Sequence, residues 1–195
     1  MMVKICGITN MDDAKAAVDA GASAIGFNFY RESPRYISPT GASLIAEKLP
    51  ETVWKVGVFV NETGEYLAKI ALQVGLDVAQ LHGWTSEAVG IRVWRAMPAD
   101  DSFMPELVDE SVEALLVDAS SDTLFGGTGE TFDWSILRFV KKKLIVAGGL
   151  DASNVRQAIE IAQPWGVDAC SRLEKSPGLK DHQKMRGFIK SALGN

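Results

Sequence analysis

The chain alternates short, almost uniformly apolar runs with stretches whose apolar residues recur at helical spacing. The apolar runs predict strands, because a strand covered on both faces needs apolar residues at consecutive positions. Eight strands are predicted, at residues 3–6, 24–29, 54–60, 78–81, 93–96, 114–117, 144–147 and 167–170. The segments between them predict helices at residues 10–21, 40–48, 65–74 and 154–161. Four further helices are less well bounded: a short one that begins at Ser86, a loosely helical stretch that ends at 110, one that begins near 133, and a last one that ends at about 192.

Eight repeated strand–helix units predict an α/β fold, a (β/α)8 TIM barrel forming a single compact domain over residues 1–195. The length lies just under the usual lower bound of about 200 residues for this fold, so we expect short helices and few insertions. A doubly wound open sheet is the alternative, but it requires a reversal of strand order and no regular count of eight. Asn10 is expected to cap the first helix, and Asp151 or Ser153 the helix at 154–161.

Composition narrows the range of partners. The chain has a formal net charge of −5 and 47% hydrophobic residues, which suits one soluble domain with a core of its own. It has no basic run and no apolar run of roughly 20 residues, so nucleic acid and membrane partners are not expected. The start lacks the apolar region of a signal peptide, which favours a cytoplasmic protein with a small-molecule partner.

The two cysteines, Cys6 and Cys170, lie far apart in the sequence and form no CxxC or zinc spacing. With His82 and His182 as the only histidines, a metal site is not expected. Free cysteine often serves as a small buried hydrophobe, so Cys6 taken alone fits a structural role.

The position of Cys6 among the other polar residues favours a chemical role instead. In parallel α/β folds the carboxyl ends of the strands meet at one face, where active sites are built. The residues predicted at or after those ends are Cys6, Arg35, His82, Asp118, Gly148, Gly149, Cys170 and Ser171.

Two kinds of chemistry are indicated at this face. Asp118 and Cys6 could give and take a proton, the minimum for acid–base isomerisation without a cofactor, although Asp118 could also simply cap the loop that follows it. Gly148 and Gly149 precede a helix, and Ser171 follows the next strand, a pattern typical of a phosphate site in such barrels. The alternative is a Gly-Gly turn required only for tight backbone geometry.

Several motifs in order resemble those of the phosphoribosylanthranilate isomerase family. The resemblance spans residues 3–181. It is carried by Val3-Lys4-Ile5-Cys6-Gly7-Ile8-Thr9, Ser33-Pro34-Arg35-Tyr36-Ile37, Gln80-Leu81-His82-Gly83, Leu116-Val117-Asp118, Gly126-Gly127-Thr128-Gly129 with Phe132-Asp133-Trp134, Ala147-Gly148-Gly149-Leu150, and Ser176-Pro177-Gly178 with Lys180-Asp181.

The resemblance implies an Amadori rearrangement of N-(5-phosphoribosyl)anthranilate in tryptophan biosynthesis, with no cofactor and no metal. It implies Asp118 as general acid, Cys6 as general base and Arg35 as the binder of the anthranilate carboxylate. The backbone around Gly148, Gly149 and Ser171 is expected to hold the phosphate, and His82 is a further expected substrate-binding residue.

One stretch departs from the family pattern. Where the family usually reads Asp-Val-Ser-Ser-Gly-Val-Glu, residues 168–174 place Cys170 at a serine and Arg172 at a glycine. Arg172 is expected either to contact the phosphate or to be an ordinary solvated arginine. The alternative functions are a non-catalytic phosphometabolite-binding barrel and another phosphosugar-converting barrel enzyme. The oligomeric state is expected to be either a monomer or a homodimer.

Strand alternation predicts what lies inside the barrel. Lys4 is two residues before Cys6 and Asp168 two before Cys170, so each pair should point inward from neighbouring first and last strands. A buried ammonium needs a counter-charge, which predicts a Lys4–Asp168 ion pair below the site. The same neighbourhood predicts that oxidation can link Cys6 to Cys170.

Overall fold

A computed structural model describes residues 1–84, 90–100, 102–119 and 131–194. Eight strands form one closed, all-parallel barrel in sequence order, and β1 pairs with β8 to close it. This closure confirms the (β/α)8 barrel and excludes an open doubly wound sheet. The strands are β1 Met2–Ile5, β2 Ala24–Asn28, β3 Trp54–Val60, β4 Val78–His82, β5 Arg92–Pro98, β6 Ala114–Asp118, β7 Lys143–Val146 and β8 Gly166–Ala169.

The α-helices are short, as the length of the chain requires. They are α1 Met11–Asp19, α2 Pro39–Ala46, α3 Gly64–Val74, α4 Val155–Ala162 and α5 His182–Leu193. The side chain of Asn10 accepts a hydrogen bond from the backbone N–H of Asp13, which confirms the predicted cap of α1. No helix in the described part of the chain is long and apolar enough to cross a membrane.

Some predicted helices differ from those observed. The helix predicted from Ser86 and the loop containing Gly126-Gly127-Thr128-Gly129 lie outside the described residues. The loosely helical stretch before residue 110 is a single 3-10 turn, Pro105–Leu107, and the helix predicted near 133 is a 3-10 helix, Trp134–Phe139.

The predicted cap of α4 is wrong, because α4 begins after Asn154 rather than after Asp151 or Ser153. Oδ1 of Asp151 instead accepts hydrogen bonds from the backbone N–H and the hydroxyl of Ser153. These bonds form a turn that ends before the helix starts, so neither side chain reaches the first turn of α4.

The segment predicted as a plain loop between β8 and α5 has structure of its own. A 3-10 turn, Ser171–Leu173, is followed by an antiparallel hairpin of β9 Glu174–Ser176 and β10 Leu179–Lys180. The side chain of Thr9 donates a hydrogen bond to the carbonyl of Gly178 at 2.5 Å, which ties the hairpin to the loop after β1. The hairpin therefore covers one side of the carboxyl mouth.

The barrel interior has an apolar layer and a charged layer above it. The apolar layer includes Met2, Trp94, Ala114 and Ile145. Two residues beyond Met2, Lys4 is fully buried, and its Nζ lies 3.0 Å from Oδ1 of Asp168, without the alignment of a hydrogen bond. The predicted Lys4–Asp168 ion pair is confirmed.

Candidate active site

The barrel brings the predicted site residues to its carboxyl mouth. Cys6 directly follows β1, His82 ends β4 and Asp118 ends β6. The remaining predicted residues lie on the loops after β2, β7 and β8; they are Arg35, Gly148, Gly149, Ser171 and Arg172.

Cys6 is a buried thiol at the closure of the barrel. Its backbone N–H donates to the carbonyl of Ala169 at 3.0 Å, and its side chain is within hydrogen-bonding reach of Cys170. That contact lowers the pKa of Cys6 well below its ordinary value, and Lys4 and Lys180 lower it further, which together outweigh burial. A thiol in this setting is readily converted to a thiolate, which can accept a proton.

Asp118 has the opposite character. The residue as a whole is only partly buried, but its Oδ1 is inaccessible to solvent and has no hydrogen-bond partner among the described residues. Burial raises the pKa of this carboxyl to about 6, and the charge of Cys6 also raises it, against the opposing effects of the Ala119 backbone and Lys4. Asp118 therefore keeps its proton to higher pH than an ordinary aspartate.

The Gly148-Gly149 turn packs directly on the acid. Both residues have positive φ, 82° and 58°. A Cβ at Gly148 would lie 2.5 Å from the backbone nitrogen of Ala119 and 2.8 Å from Oδ1 of Asp118. Only glycine fits this approach. The turn thus shares a small cavity with the acid and the β8 loop, lined by Asp118, Gly148, Gly149, Asp168, Cys170, Ser171 and Arg172 together with Ala147, Leu150 and Ala169.

Arg35 is held by a carboxylate from the far end of the chain. Its Nε lies 3.0 Å from Oε1 of Glu174, and its Nη2 lies 2.9 Å from Oε2. Burial tends to lower the pKa of Arg35, but Glu174 together with the charges of Cys170 and Cys6 more than compensates, and the net shift is upward. The guanidinium is therefore a fixed cation at the mouth, positioned by the β9–β10 hairpin.

Glu174 and Lys180 belong to the site, and sequence reasoning did not select them. Nζ of Lys180 is completely buried and lies 2.9 Å from Oε1 of Glu174, 3.2 Å from the carbonyl of Cys170 and 3.6 Å from its Sγ. Both residues stand in stretches already singled out, but their signal, a buried pair of opposite charges, depends on a hairpin that the apolar pattern does not predict.

His82 and Arg172 are engaged by neighbouring side chains. His82 is buried, and its Nε2 lies 3.0 Å from the side-chain nitrogen of Gln80. Burial lowers the pKa of His82 to about 4, with smaller effects from Lys4 and Arg95, so its ring is neutral at neutral pH. Nη1 of Arg172 pairs with Oδ2 of Asp151 at 2.9 Å.

Two other places in the described part of the chain were candidates for a functional site, a metal cluster and a larger cavity. The described residues contain no group of three or more His, Cys, Asp or Glu side chains placed to hold a metal. A larger cavity of about 590 Å³ lies at the opposite, amino end of the barrel, lined largely by residues 137–144 and 160–165. None of the predicted site residues lines it.

A closed eight-stranded parallel barrel that gathers a thiol, a carboxyl group and a glycine turn at its carboxyl mouth has the architecture of a (β/α)8-barrel enzyme. The family model described as N-(5'phosphoribosyl)anthranilate (PRA) isomerase matches residues 3–191. The chain therefore belongs to the phosphoribosylanthranilate isomerase family.

Individual relatives agree with this assignment. An N-(5'-phosphoribosyl)anthranilate isomerase from Solibacter usitatus (strain Ellin6076) is 50% identical, with 100% of both chains covered. The crystal structure of phosphoribosyl anthranilate isomerase from Thermotoga maritima superposes with a TM-score of 0.87 at 40% identity, again covering 100% of both chains. A structure of such an isomerase in complex with reduced 1-(o-carboxyphenylamino)-1-deoxyribulose 5-phosphate has a TM-score of 0.83 at 37% identity, also over 100% of both chains.

Proposed function

We propose that this enzyme converts N-(5-phosphoribosyl)anthranilate to 1-(2-carboxyphenylamino)-1-deoxyribulose 5-phosphate, an Amadori rearrangement in tryptophan biosynthesis. The observation that carries the proposal is the opposite tuning of two groups at one mouth in a barrel of this family. The pKa of the Cys6 thiol is lowered and that of the Asp118 carboxyl is raised, so one group is suited to accept a proton and the other to donate one.

In the proposed first step, protonated Asp118 donates its proton to the ring oxygen of the ribose. The bond between that oxygen and C1′ breaks, the nitrogen lone pair forms the C=N bond of a protonated Schiff base, and Asp118 becomes a carboxylate. A pKa near 6 suits this role because a useful fraction of the carboxyl group is still protonated near neutral pH, whereas an ordinary aspartate is almost fully ionised.

In the second step, the thiolate of Cys6 removes the proton from C2′. The electrons of that bond form the C1′–C2′ double bond of an enolamine, and the electrons of the C=N bond return to nitrogen. Tautomerisation of the enolamine to the ketone completes the rearrangement. Each step is a proton transfer, so the proposed reaction needs neither a cofactor nor a metal.

The substrate is proposed to lie across the mouth, with its two anionic ends bound separately. Arg35 would bind the anthranilate carboxylate through Nη1, because Glu174 engages Nε and Nη2 and no other described residue hydrogen-bonds to Nη1. The backbone at Gly148, Gly149 and Ser171 would hold the phosphate at the other end of the substrate.

Two further residues border the proposed binding region. Arg172, oriented by Asp151, lies beside the phosphate region, and neutral His82 is proposed to contact the substrate from the end of β4. The cytoplasmic location stays a prediction, and so does the oligomeric state, either a monomer or a homodimer.

Cys6→Ser tests the base assignment. A serine hydroxyl is too weakly acidic to supply an alkoxide near neutral pH, so kcat should fall by roughly 10²–10⁴-fold while KM stays nearly constant. The fall in substrate fluorescence gives the rate, and the thermal unfolding midpoint checks the fold. Near-normal kcat would remove Cys6 from the mechanism, and a wild-type enzyme that binds the substrate without turnover would reject the proposed function.

A further inference from the structure

The sulfur of Cys170 lies over the end of β1, next to Cys6. The register pairs Ile5 with Ala169, so the two cysteines follow paired positions on neighbouring parallel strands. A Cβ added at Gly7, the residue after Cys6, would lie only 2.9 Å from Sγ of Cys170. Both cysteines are free thiols within hydrogen-bonding reach of each other.

The pair lies in a partly buried cluster of mixed charge. The cations that face the two sulfurs are Lys4 on β1, Lys180 on β10 and Arg35 on the loop after β2; the acidic groups are Asp118 on β6, Asp168 on β8 and Glu174 on β9. Two negative sulfurs side by side would repel each other, so removal of the first proton makes removal of the second much harder. The expected ground state therefore has one proton shared by two sulfurs.

The surroundings favour Cys170 as the sulfur that keeps the proton. The thiol of Cys170 donates to Oε1 of Glu174, 3.9 Å from its Sγ, and a carboxylate at that distance opposes a negative charge on this sulfur. Nζ of Lys180 also donates to Sγ of Cys170 at 3.6 Å, but it is paired with the same carboxylate at 2.9 Å, which offsets its charge at that sulfur. No carboxylate among the described residues hydrogen-bonds to Cys6, although Asp118 and Asp168 oppose a charge on it through space.

We propose that Cys170 is a positioning residue for Cys6: once Cys6 has lost its proton, the S–H of Cys170 turns from Glu174 to the thiolate of Cys6, so that the two thiols act as one base. During the reaction the C2′ proton moves to Cys6 while Cys170 keeps its own proton, so charge and atoms balance. The base role of Cys6 rests on the proposed function, but the thiol–thiolate pair can be measured without substrate. A serine, the usual family residue at position 170, is also a hydrogen-bond donor.

Thiolate absorbance near 240 nm, measured against pH on the unliganded enzyme, tests the pair. The chain has only two cysteines, so every signal belongs to Cys6 or Cys170. Wild type should show one thiolate titrating well below the ordinary cysteine range and a second titrating well above it. Two coincident titrations in the ordinary range would overturn the proposal without the need for any variant.

Cys170→Ala leaves Cys6 as the only thiol and removes the donor. Its titration should move upward by roughly one pH unit or more relative to the first wild-type step, and the acidic limb of kcat/KM should move with it. Cys170→Ser keeps a donor, so its titration should stay closer to wild type. A merely structural role would lower activity at all pH values and leave the titration in place, an outcome that would overturn the proposal.

Cys6→Ala provides the matched control, because it leaves only Cys170. The proposal predicts no thiolate near pH 7 in this variant. If Cys170 alone titrated as low as the first wild-type step, the charge would belong to Cys170 and the proposed direction of the hydrogen bond would be wrong. Because substrate is absent, these results are independent of whether Cys6→Ser retains turnover.

Discussion

The two ends of the barrel interior are built from the same strands but are chemically opposite. At the amino end, Trp94 packs against Trp54 and Trp165 with ring centroids 5.8 and 5.9 Å apart. At the carboxyl end, Lys4 pairs with Asp168, and Cys6 lies beside Cys170. Along β1 the interior changes from apolar to charged within two residues, because Met2 and Lys4 are alternate positions whose side chains both point into the barrel.

The difference shows how a small barrel separates stability from chemistry. The amino end buries large apolar surface, worth about 25 cal/mol per Å², and the cations Arg92 and Lys143 lie over its tryptophan rings at 4.8 and 5.0 Å. The carboxyl end buries ionisable groups, which costs stability unless they are paired. Substitutions at the two ends should therefore separate folding from turnover.

The largest effect on folding is expected from Trp94→Ala at the amino end. Removing this fully buried side chain should lower the free energy of unfolding by about 3–5 kcal/mol, because the cavity cannot close completely. Since Trp94 lies in the apolar layer away from the mouth, kcat of the folded fraction should stay within about twofold. Urea unfolding and the fluorescence assay on the same samples measure both.

The control for this substitution is Trp94→Phe, which keeps an aromatic ring and should lose less stability. A large loss of kcat in a fully folded Trp94→Ala enzyme would contradict the separation of the two ends.

A smaller effect is expected from Arg35→Ala at the carboxyl end. Losing a charged partner of the substrate's carboxylate should raise KM by an amount equivalent to about 1.5–3 kcal/mol, roughly 10–150-fold, with a smaller change in kcat. Arg31→Ala is a matched control, because Arg31 lies on the same loop but is exposed. Equal KM values for the two variants would remove Arg35 from substrate binding.

What the sequence could predict follows from local periodicity. Each apolar run predicts a strand, and the number of strands predicts the barrel. The polar residues at the strand ends then predict most of the residues at the carboxyl mouth. The Lys4–Asp168 pair also follows, because barrel closure makes the first and last strands neighbours and strand alternation decides which side chains point inward.

What the sequence could not predict depends on contacts between distant segments. Arg35 and Glu174 are separated by 139 positions, and their pairing needs the β9–β10 hairpin, which has too few residues to show an apolar pattern. Lys180 is buried for the same reason. The helix predicted from about residue 133 is a 3-10 helix, Trp134–Phe139. Six residues are too few for the apolar spacing to distinguish a 3-10 helix from an α-helix, so tertiary packing decides between them.

The raised pKa of Asp118 connects chemistry with stability. Its pKa is about 6 in the folded protein and about 3.8 when exposed, so folding favours the protonated form. Protonated Asp118 therefore makes its full contribution to the free energy of unfolding below about pH 4, and this contribution is lost as the pH rises through 6. By linkage the loss amounts to no more than about 3 kcal/mol at pH 8.

The central claim is that the mouth of the barrel is built for chemistry at a cost in stability. The most direct test is to unfold wild type and Asp118→Asn in urea at pH 4 and at pH 8, and to measure kcat on the same samples. Between the two pH values wild type should lose up to about 3 kcal/mol more than the variant, since the amide carries no charge to bury. The variant's kcat should be roughly 10²–10⁴-fold lower, because an amide cannot deliver the proton. Equal losses of stability together with a retained kcat would contradict the account.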